Sequence, residues 1–364
     1  MRKATSIAVL NIGIIGCGEA TQILHIPTLK QLNDYFVIGA VHDASPSVTT
    51  QLSASLPGTK AYADMEALLS DETIDAVLVA GPNALHASHA ISAMRSGKHV
   101  LIEKPMCMTL AEADAIAEEQ IKTDRVVQVG YMRRHAAAFE KAVELIAPLL
   151  GTINFARVHD IIGPNSAFIE PTSKVIRGDD VPLDVKAANA AADAQAVRSM
   201  VGTDEGPRAF VYKLLLGLSS HDVSAMREML GMPKAVLSAH FRREGWFVTI
   251  QFDYGDFICQ FETGVDRIAR FGAHIEVYTP EKMVRVDYDT PYIRHQPATL
   301  TVTSADGPHG VTVSRGHNSR QDSFVAEWRR FHAAITQGAT IKTDVVDARL
   351  DLELFAQIMQ KLGG

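Results

Sequence analysis

Ile12-Gly13-Ile14-Ile15-Gly16-Cys17-Gly18-Glu19-Ala20 is the stretch whose reading decides the fold. An apolar run enters a pair of glycines, and a helical pattern follows at once. Glycine lets such a turn close and lets backbone N–H groups at the helix N-terminus approach a pyrophosphate. Alone, the pattern is also that of any tight strand-to-helix turn. Asp43 adds weight, because it ends a second apolar run, Val37-Ile38-Gly39-Ala40-Val41, about 20 residues or a little more past the glycines. A carboxylate there accepts hydrogen bonds from ribose hydroxyls and repels a 2′-phosphate, so NAD is favoured over NADP. Thr21 stands where a third Gly or Ala is usual, a departure expected to loosen the packing of helix on strand.

Outward from this turn, short apolar runs recur at Ala76 to Ala80, Val100 to Ile102 and Val126 to Val129, with helical stretches between them. That alternation predicts a parallel, doubly wound sheet. Ala87, Ala90, Ile91 and Met94 share one helical face, and so do Ala113, Ile116, Ala117 and Ile121, the latter helix opened by a Thr109/Glu112 capping box. After about Gly151 the period changes to two. Val248, Ile250 and Phe252 alternate with polar residues, turn at Tyr254-Gly255-Asp256, and resume at Phe257, Cys259 and Phe261. Similar alternation at Val284 to Tyr288, Leu300 to Val302 and Val311 to Val313 predicts a large open antiparallel sheet in a second, α+β domain. Two helices close the chain, with Phe324, Trp328, Phe331 and Ile335 on one face and Ala348, Leu352, Phe355, Met359 and Leu362 on the other helix's face. An Ala-rich helix near Ala187 to Met200 lies within a segment, Pro164 to Pro207, that is expected over the substrate. The expected division is 1–130, 131–342 and a C-terminal helix at 343–364 packing back near the first domain.

The 364 residues suffice for two domains, and 47% hydrophobic against 21% charged residues is a globular balance. A formal net charge of −7 gives no basic field for a phosphate backbone, so neither nucleic acid nor a membrane is an expected partner. Cys17, Cys107 and Cys259 are too few and scattered for a disulfide framework or zinc site, which fits a cytoplasmic protein. Arg2-Lys3 before the stretch Ile7 to Ile15 imitates a leader, but Asn11 and Gly13 interrupt it and no membrane span is expected. No metal is expected.

Two further loops follow strand-like runs, Ala80-Gly81-Pro82-Asn83-Ala84-Leu85-His86 and Glu103-Lys104-Pro105. Open α/β sheets hold ligands at these carboxyl ends, which raises Lys104 above an ordinary solvated lysine, with Glu103 beside it to pair with it or orient it. Arg133 and Arg134 read equally as a solvated pair or as contacts to substrate hydroxyls, an anionic substituent or the cofactor edge. Arg133, Asp160 and Asn165 are the favoured substrate contacts, His159 and Asp160 being near the end of a domain-joining strand.

Gly16-Cys17-Gly18, Pro82-Asn83-x-x-His86, Glu103-Lys104-Pro105 and Gly130-Tyr131-Met132-Arg133-Arg134 together resemble the Gfo/Idh/MocA oxidoreductases, the glucose-fructose oxidoreductase and inositol dehydrogenase family, closely over residues 7 to 165. The resemblance implies a Rossmann domain, an α+β domain with an open sheet, homodimers or homotetramers, and a nicotinamide cofactor used on a secondary hydroxyl of a sugar, glycoside or cyclitol. It implies cofactor contacts from Gly16, Gly18, Glu19, Ala20, Asp43, Pro82, Asn83, His86, Glu103 and Lys104, and places Lys104 near nicotinamide and reacting hydroxyl. The family's usual Asp four residues before a His is absent, since Gly217 precedes His221 at that spacing. His221 is nevertheless the expected base, with Asp160, Asp180 or Asp222 replacing the carboxylate, Asp222 also being a substrate contact. Lys213 is a further candidate for the site. Two other outcomes are a redox-neutral, NAD-retaining glycosidase and a non-catalytic, NAD-binding regulatory protein.

Overall fold

Runs of Ala, Val, Leu and Ile with no polar alternation require cover on both faces, which only a parallel sheet between helix layers provides. The computed structural model, which describes residues 7–362, has such a sheet. Its strands are β1 (Leu10–Ile15), β2 (Phe36–His42), β3 (Lys60–Ala61), β4 (Ala76–Val79), β5 (His99–Glu103) and β6 (Val127–Gly130). They run in the order β3-β2-β1-β4-β5-β6, all parallel. The winding reverses between β1 and β4, so the crevice for a ligand opens at the carboxyl ends of these two strands. β3 has two exposed residues, too short for any periodicity to reveal.

The Thr109/Glu112 capping box forms at the start of the helix Leu110–Thr123. Ile121 departs from the expected face: Ala113, Ile116 and Glu119 are buried at a spacing of three, and Ile121 is 83% exposed. That spacing rotates the covered stripe away from Ile121, and Arg95 pairs with Glu119 at 2.9 Å on it.

Two compact units partition the chain. The first holds the residues up to Gly130 together with Lys174–Ala196 and Phe324–Arg349; the second holds Tyr131–Ser173, Val197–Ser323 and the residues from Leu350. The expected C-terminal segment 343–364 does not stand apart, because the helix Val345–Lys361 is grouped with the first unit up to Arg349 and with the second beyond it. The helix Ser323–Gln337 joins the first unit through its aromatic face. Trp328, fully buried, meets Phe36 edge-on at 5.2 Å and Phe331 at 5.8 Å within the core that includes Ile12, Leu78 and Leu101. Arg2 and Lys3 lie outside the described residues. Among the described residues no helix is long and apolar enough to cross a membrane.

The second unit is built on β7 (Phe155–Ile162), β8 (Ala235–Arg242), β9 (Phe247–Asp253), β10 (Ile258–Val265), β11 (Phe271–Tyr278), β12 (Lys282–Tyr288), β13 (Thr299–Asp306) and β14 (Gly310–Gly316). The order is β14-β13-β12-β11-β7-β10-β9-β8, antiparallel throughout except where β10 lies parallel to β7. Val248, Ile250, Phe252, Cys259 and Phe261 all face the buried side, as the two-residue period requires. β14 differs: it alternates in sequence, yet every residue is exposed, Val311 by 65% and Val313 by 59%.

Trp328→Ala would leave a large void in the first core, and the expected loss is about 3–5 kcal/mol. Denaturant unfolding measures it; a loss below about 1 kcal/mol would contradict the central place of this side chain.

Candidate cofactor and catalytic residues

Gly16 has φ +93°, and a Cβ there would lie 2.5 Å from the backbone N of Gly81, so no other residue closes this turn. A Cβ on Gly18 would meet nothing within 4 Å. The first glycine thus joins the ends of β1 and β4, and the second leaves the open ground that a pyrophosphate needs. Thr21 is buried and its hydroxyl donates to the Gly16 carbonyl at 2.7 Å. The expected loosening is therefore absent: the hydroxyl bonds the helix start to the turn, and the helix opens with a wide turn over Thr21–His25 that accommodates it. Asp43 accepts from Cys17 N at 2.8 Å and from Ser45 N at 2.9 Å. Its carboxylate is held rigidly, with lone pairs remaining for ribose hydroxyls. The Cys17 thiol is buried and pushed well up by desolvation and by Asp43, so it is not a nucleophile. Glu19 pairs with Arg177, and Ala20 precedes the wide turn.

Pro82 leads into a 3-10 turn, Asn83–Leu85, and both Pro82 and Asn83 remain accessible. His86 is buried, with Nδ1 2.7 Å from the Pro105 carbonyl and Nε2 2.9 Å from the Gly81 carbonyl. Burial lowers its pKa against the pull of these acceptors. Its ring therefore ties the loop after β4 to the turn after β5, and neither nitrogen faces outward to a cofactor.

Glu103, at the end of β5, is 8% exposed. One oxygen is 2.8 Å from His25 Nε2 and the other accepts from the Lys104 backbone N–H at 3.0 Å. Trp328 Nε1 donates to His25 Nδ1 at 3.1 Å. An indole N–H only donates, so Nδ1 is the acceptor and Nε2 carries the proton given to Glu103. Burial would raise the Glu103 pKa, but the hydrogen bond from His25 and the nearby charge of Lys104 outweigh it and hold the carboxyl below its ordinary range. His25 and Trp328 are the participants that sequence reasoning missed. A histidine at the end of the opening turn Thr21–His25, and a core tryptophan far along the chain, carry no local mark of this use.

The second unit gathers another set. Arg133, 3% exposed, pairs with Asp222, lies 3.7 Å from Asp160, and sits over the rings of Tyr288 at 5.2 Å and Phe271 at 5.4 Å. Arg134 is also buried and pairs with Glu228. Neither arginine is solvated, and Arg133, Asp160 and Asp222 face one another. One oxygen of Asp222 has no hydrogen-bond partner, the only such atom of that carboxylate. His159 points to the opposite sheet face from Asp160, its ring 2.9 Å from Glu262 and stacked on His274 at 4.9 Å. Asn165 is exposed before the short helix Ser166–Ile169, and Lys213 is exposed on the helix Gly206–Leu214. His221 is the second residue of the helix Ser220–Leu230, entered through a wide turn at Leu215–Ser219. A Cβ on Gly217 would meet nothing within 4 Å, so space does not explain the absent Asp. Asp180 is engaged by Ser45 and Ser47 in the first unit. Among the described residues, no group of three or more His, Cys, Asp or Glu is placed to hold a metal ion.

A parallel sheet in this order, with the Gly16–Gly18 turn and a fixed Asp43, defines a dinucleotide-binding Rossmann unit. The model of the Gfo/Idh/MocA oxidoreductase family, with its NAD-binding Rossmann fold, matches residues 10–131. Myo-inositol 2-dehydrogenase from Thermotoga maritima is 33% identical over 137 residues, 38% of this chain. The match spans only 40% of that curated relative's length. Among solved structures, aldose-aldose oxidoreductase from Caulobacter crescentus, complexed with glycerol, superposes with TM-score 0.73 at 17% identity over 97% of both chains. The 3-ketoreductase KijD10 from Actinomadura kijaniata, in complex with NADP, gives 0.72 at 16% identity, over 98% of this chain and 97% of the other. These structural likenesses extend the fold to both domains.

Because the folded pKa of Glu103 is depressed, its stabilising effect is complete above the ordinary carboxyl value of about 4.3 and fades as pH falls through the lower folded value. Glu103→Gln should cost about 1–3 kcal/mol near neutrality, and the gap to the parent should narrow on acidification to about pH 3. Urea titrations at both pH values measure this, and a gap that does not change would remove the ionised carboxylate from the account.

Proposed function

We propose that the protein oxidises a secondary hydroxyl of a sugar, glycoside or cyclitol with NAD, or runs the reverse reduction. The observation that supports it most is Lys104, at the carboxyl end of a central parallel strand, with its backbone held by a buried and doubly bonded Glu103. The inositol dehydrogenase matched over the N-terminal stretch and the rigid Asp43 support the substrate class and NAD, respectively. Gly16, Gly18, Glu19, Ala20, Pro82 and Asn83 would line the cofactor. Bound NAD supplies the acceptor for the hydride that leaves the carbinol carbon. As the carbonyl forms, the hydroxyl proton passes to His221, and the ammonium of Lys104 lowers the energy of the developing alkoxide. Asn165 contacts substrate, while the buried cluster of Arg133, Asp160 and Asp222 secures the helix that presents His221.

Lys104→Ala is expected to lower turnover by about 10²–10⁴-fold with NAD binding retained, because the pyrophosphate and ribose contacts lie elsewhere. His221→Ala should remove most of the rate and the rising limb of the pH profile. A panel of sugars, inositols and glycosides with NAD, followed by NADH absorbance and product analysis, tests the whole reading. Product without NADH, or no turnover on any polyol, would overturn it, and near-normal rates in either variant would overturn that residue's role.

Self-association is the companion expectation. Val311 and Val313 on a wholly exposed edge strand leave apolar surface and an unpaired backbone edge that a second copy would cover. Light scattering at micromolar concentration should show a dimer or tetramer; a monomer would count against it.

A further inference from the structure

We infer that Asp180 is a specificity-determining residue for the cofactor: its carboxylate fills the anion-binding position at the N-terminus of the helix Pro46–Ala54 and excludes a 2′-phosphate from the adenosine ribose. The inference rests on the dinucleotide reading of the first unit and deepens it.

The helix Pro46–Ala54 begins just after β2 and Asp43, with Ser45 as its N-cap. In a Rossmann unit this is where the ribose 2′ position lies, next to the carboxylate that ends the second strand. Ser45-Pro46-Ser47 taken alone suits a phosphate, since two hydroxyls and a free N–H converge at the positive end of a helix. That ground is already occupied by an anion from the chain itself. Asp180 accepts from the Ser45 hydroxyl, from Ser47 N at 2.9 Å and from the Ser47 hydroxyl at 2.8 Å. Ser45 thus holds two carboxylates, Asp43 on its N–H at 2.9 Å and Asp180 on its hydroxyl. Among the described residues the donors to Asp180 are these serines, and Arg177, the nearest strongly basic residue in sequence, is paired with Glu19. The hydrogen bonds from the serines hold the Asp180 pKa below its ordinary value, so the group is ionised at neutrality.

The segment that delivers Asp180 is itself anchored. Ile176 N donates to Gln22 at 2.8 Å, and Gln22 donates back to the Ile176 carbonyl at 2.9 Å and to the Cys17 carbonyl at 2.7 Å. Gly178 approaches so closely that a Cβ would lie 1.9 Å from Ser45 Oγ. The strap therefore runs from the glycine turn to the end of β2, along the adenosine half of a bound dinucleotide. A ribose 2′-hydroxyl can donate to the carboxylates there, whereas a phosphate dianion meets two negative charges and finds the N–H and hydroxyl donors already taken.

Equilibrium titration of the whole protein with NADH and NADPH, by nicotinamide fluorescence, tests this in the parent, Asp180→Asn and Asp180→Ala. The ratio of the NADPH to the NADH Kd should fall by about tenfold or more in both variants, mainly through tighter NADPH. Asp180→Asn preserves size and an acceptor for the serines, so it separates charge from a disturbed strap, and a melting curve reports the fold of each variant. If the parent prefers NADH and neither variant moves the ratio, this inference fails while the NAD reading stands. If the parent binds NADPH as tightly as NADH, both fail.

Discussion

A carboxylate at the end of a buried parallel strand is unfavourable unless its charge is answered, and most of the first unit's active geometry follows from how Glu103 is answered. His25 gives it one proton donor and the Lys104 backbone gives the other, while Trp328 fixes the His25 tautomer from behind. The helix after the glycine turn, the strand that ends in Glu103 and a helix more than two hundred residues later are joined by this one chain of hydrogen bonds. Lys104 inherits its position from it. A lysine on an unanchored loop would spend most of its time in solvent, with little command over a reacting oxygen.

The second unit answers the same kind of problem differently. Arg133 is buried with carboxylates from β7 and from the helix Ser220–Leu230, and two aromatic rings cover its planar faces. Removing one member of such a set leaves an uncompensated charge, which costs more than the set contributes as a whole. Three residues that read as substrate contacts thus face each other and hold the helix that follows Gly217 to β7. His221 sits one residue from Asp222 on that helix, so a change in the cluster would be felt at the proposed base.

Negative charge is concentrated around the ribose end of the glycine turn. Asp43 is braced by two backbone donors, and the strap brings a second carboxylate onto the neighbouring helix start. Helix N-termini attract anions by their exposed N–H groups; here the chain supplies its own, and the donors left for a nucleotide are those of the glycine turn.

The period of the apolar residues was enough to tell the two kinds of sheet apart, because a strand buried on two faces and one buried on a single face impose different patterns. The Gly16–Gly18 turn, the end of β2 at Asp43 and the Glu103-Lys104-Pro105 turn were placed for a similar reason: they depend on backbone geometry close in sequence. The long-range partners of polar and charged side chains were not. His25 with Trp328, Arg133 with Asp222, and Ser45 with Asp180 are pairs joined across roughly 90 to 300 positions. Polar groups seek partners, the buried ones most strongly, but composition and period do not say which one, and only the folded chain chooses. The exposure of Ile121 and of β14 belongs to the same class, since a sequence shows which residues can be buried and only packing shows which are.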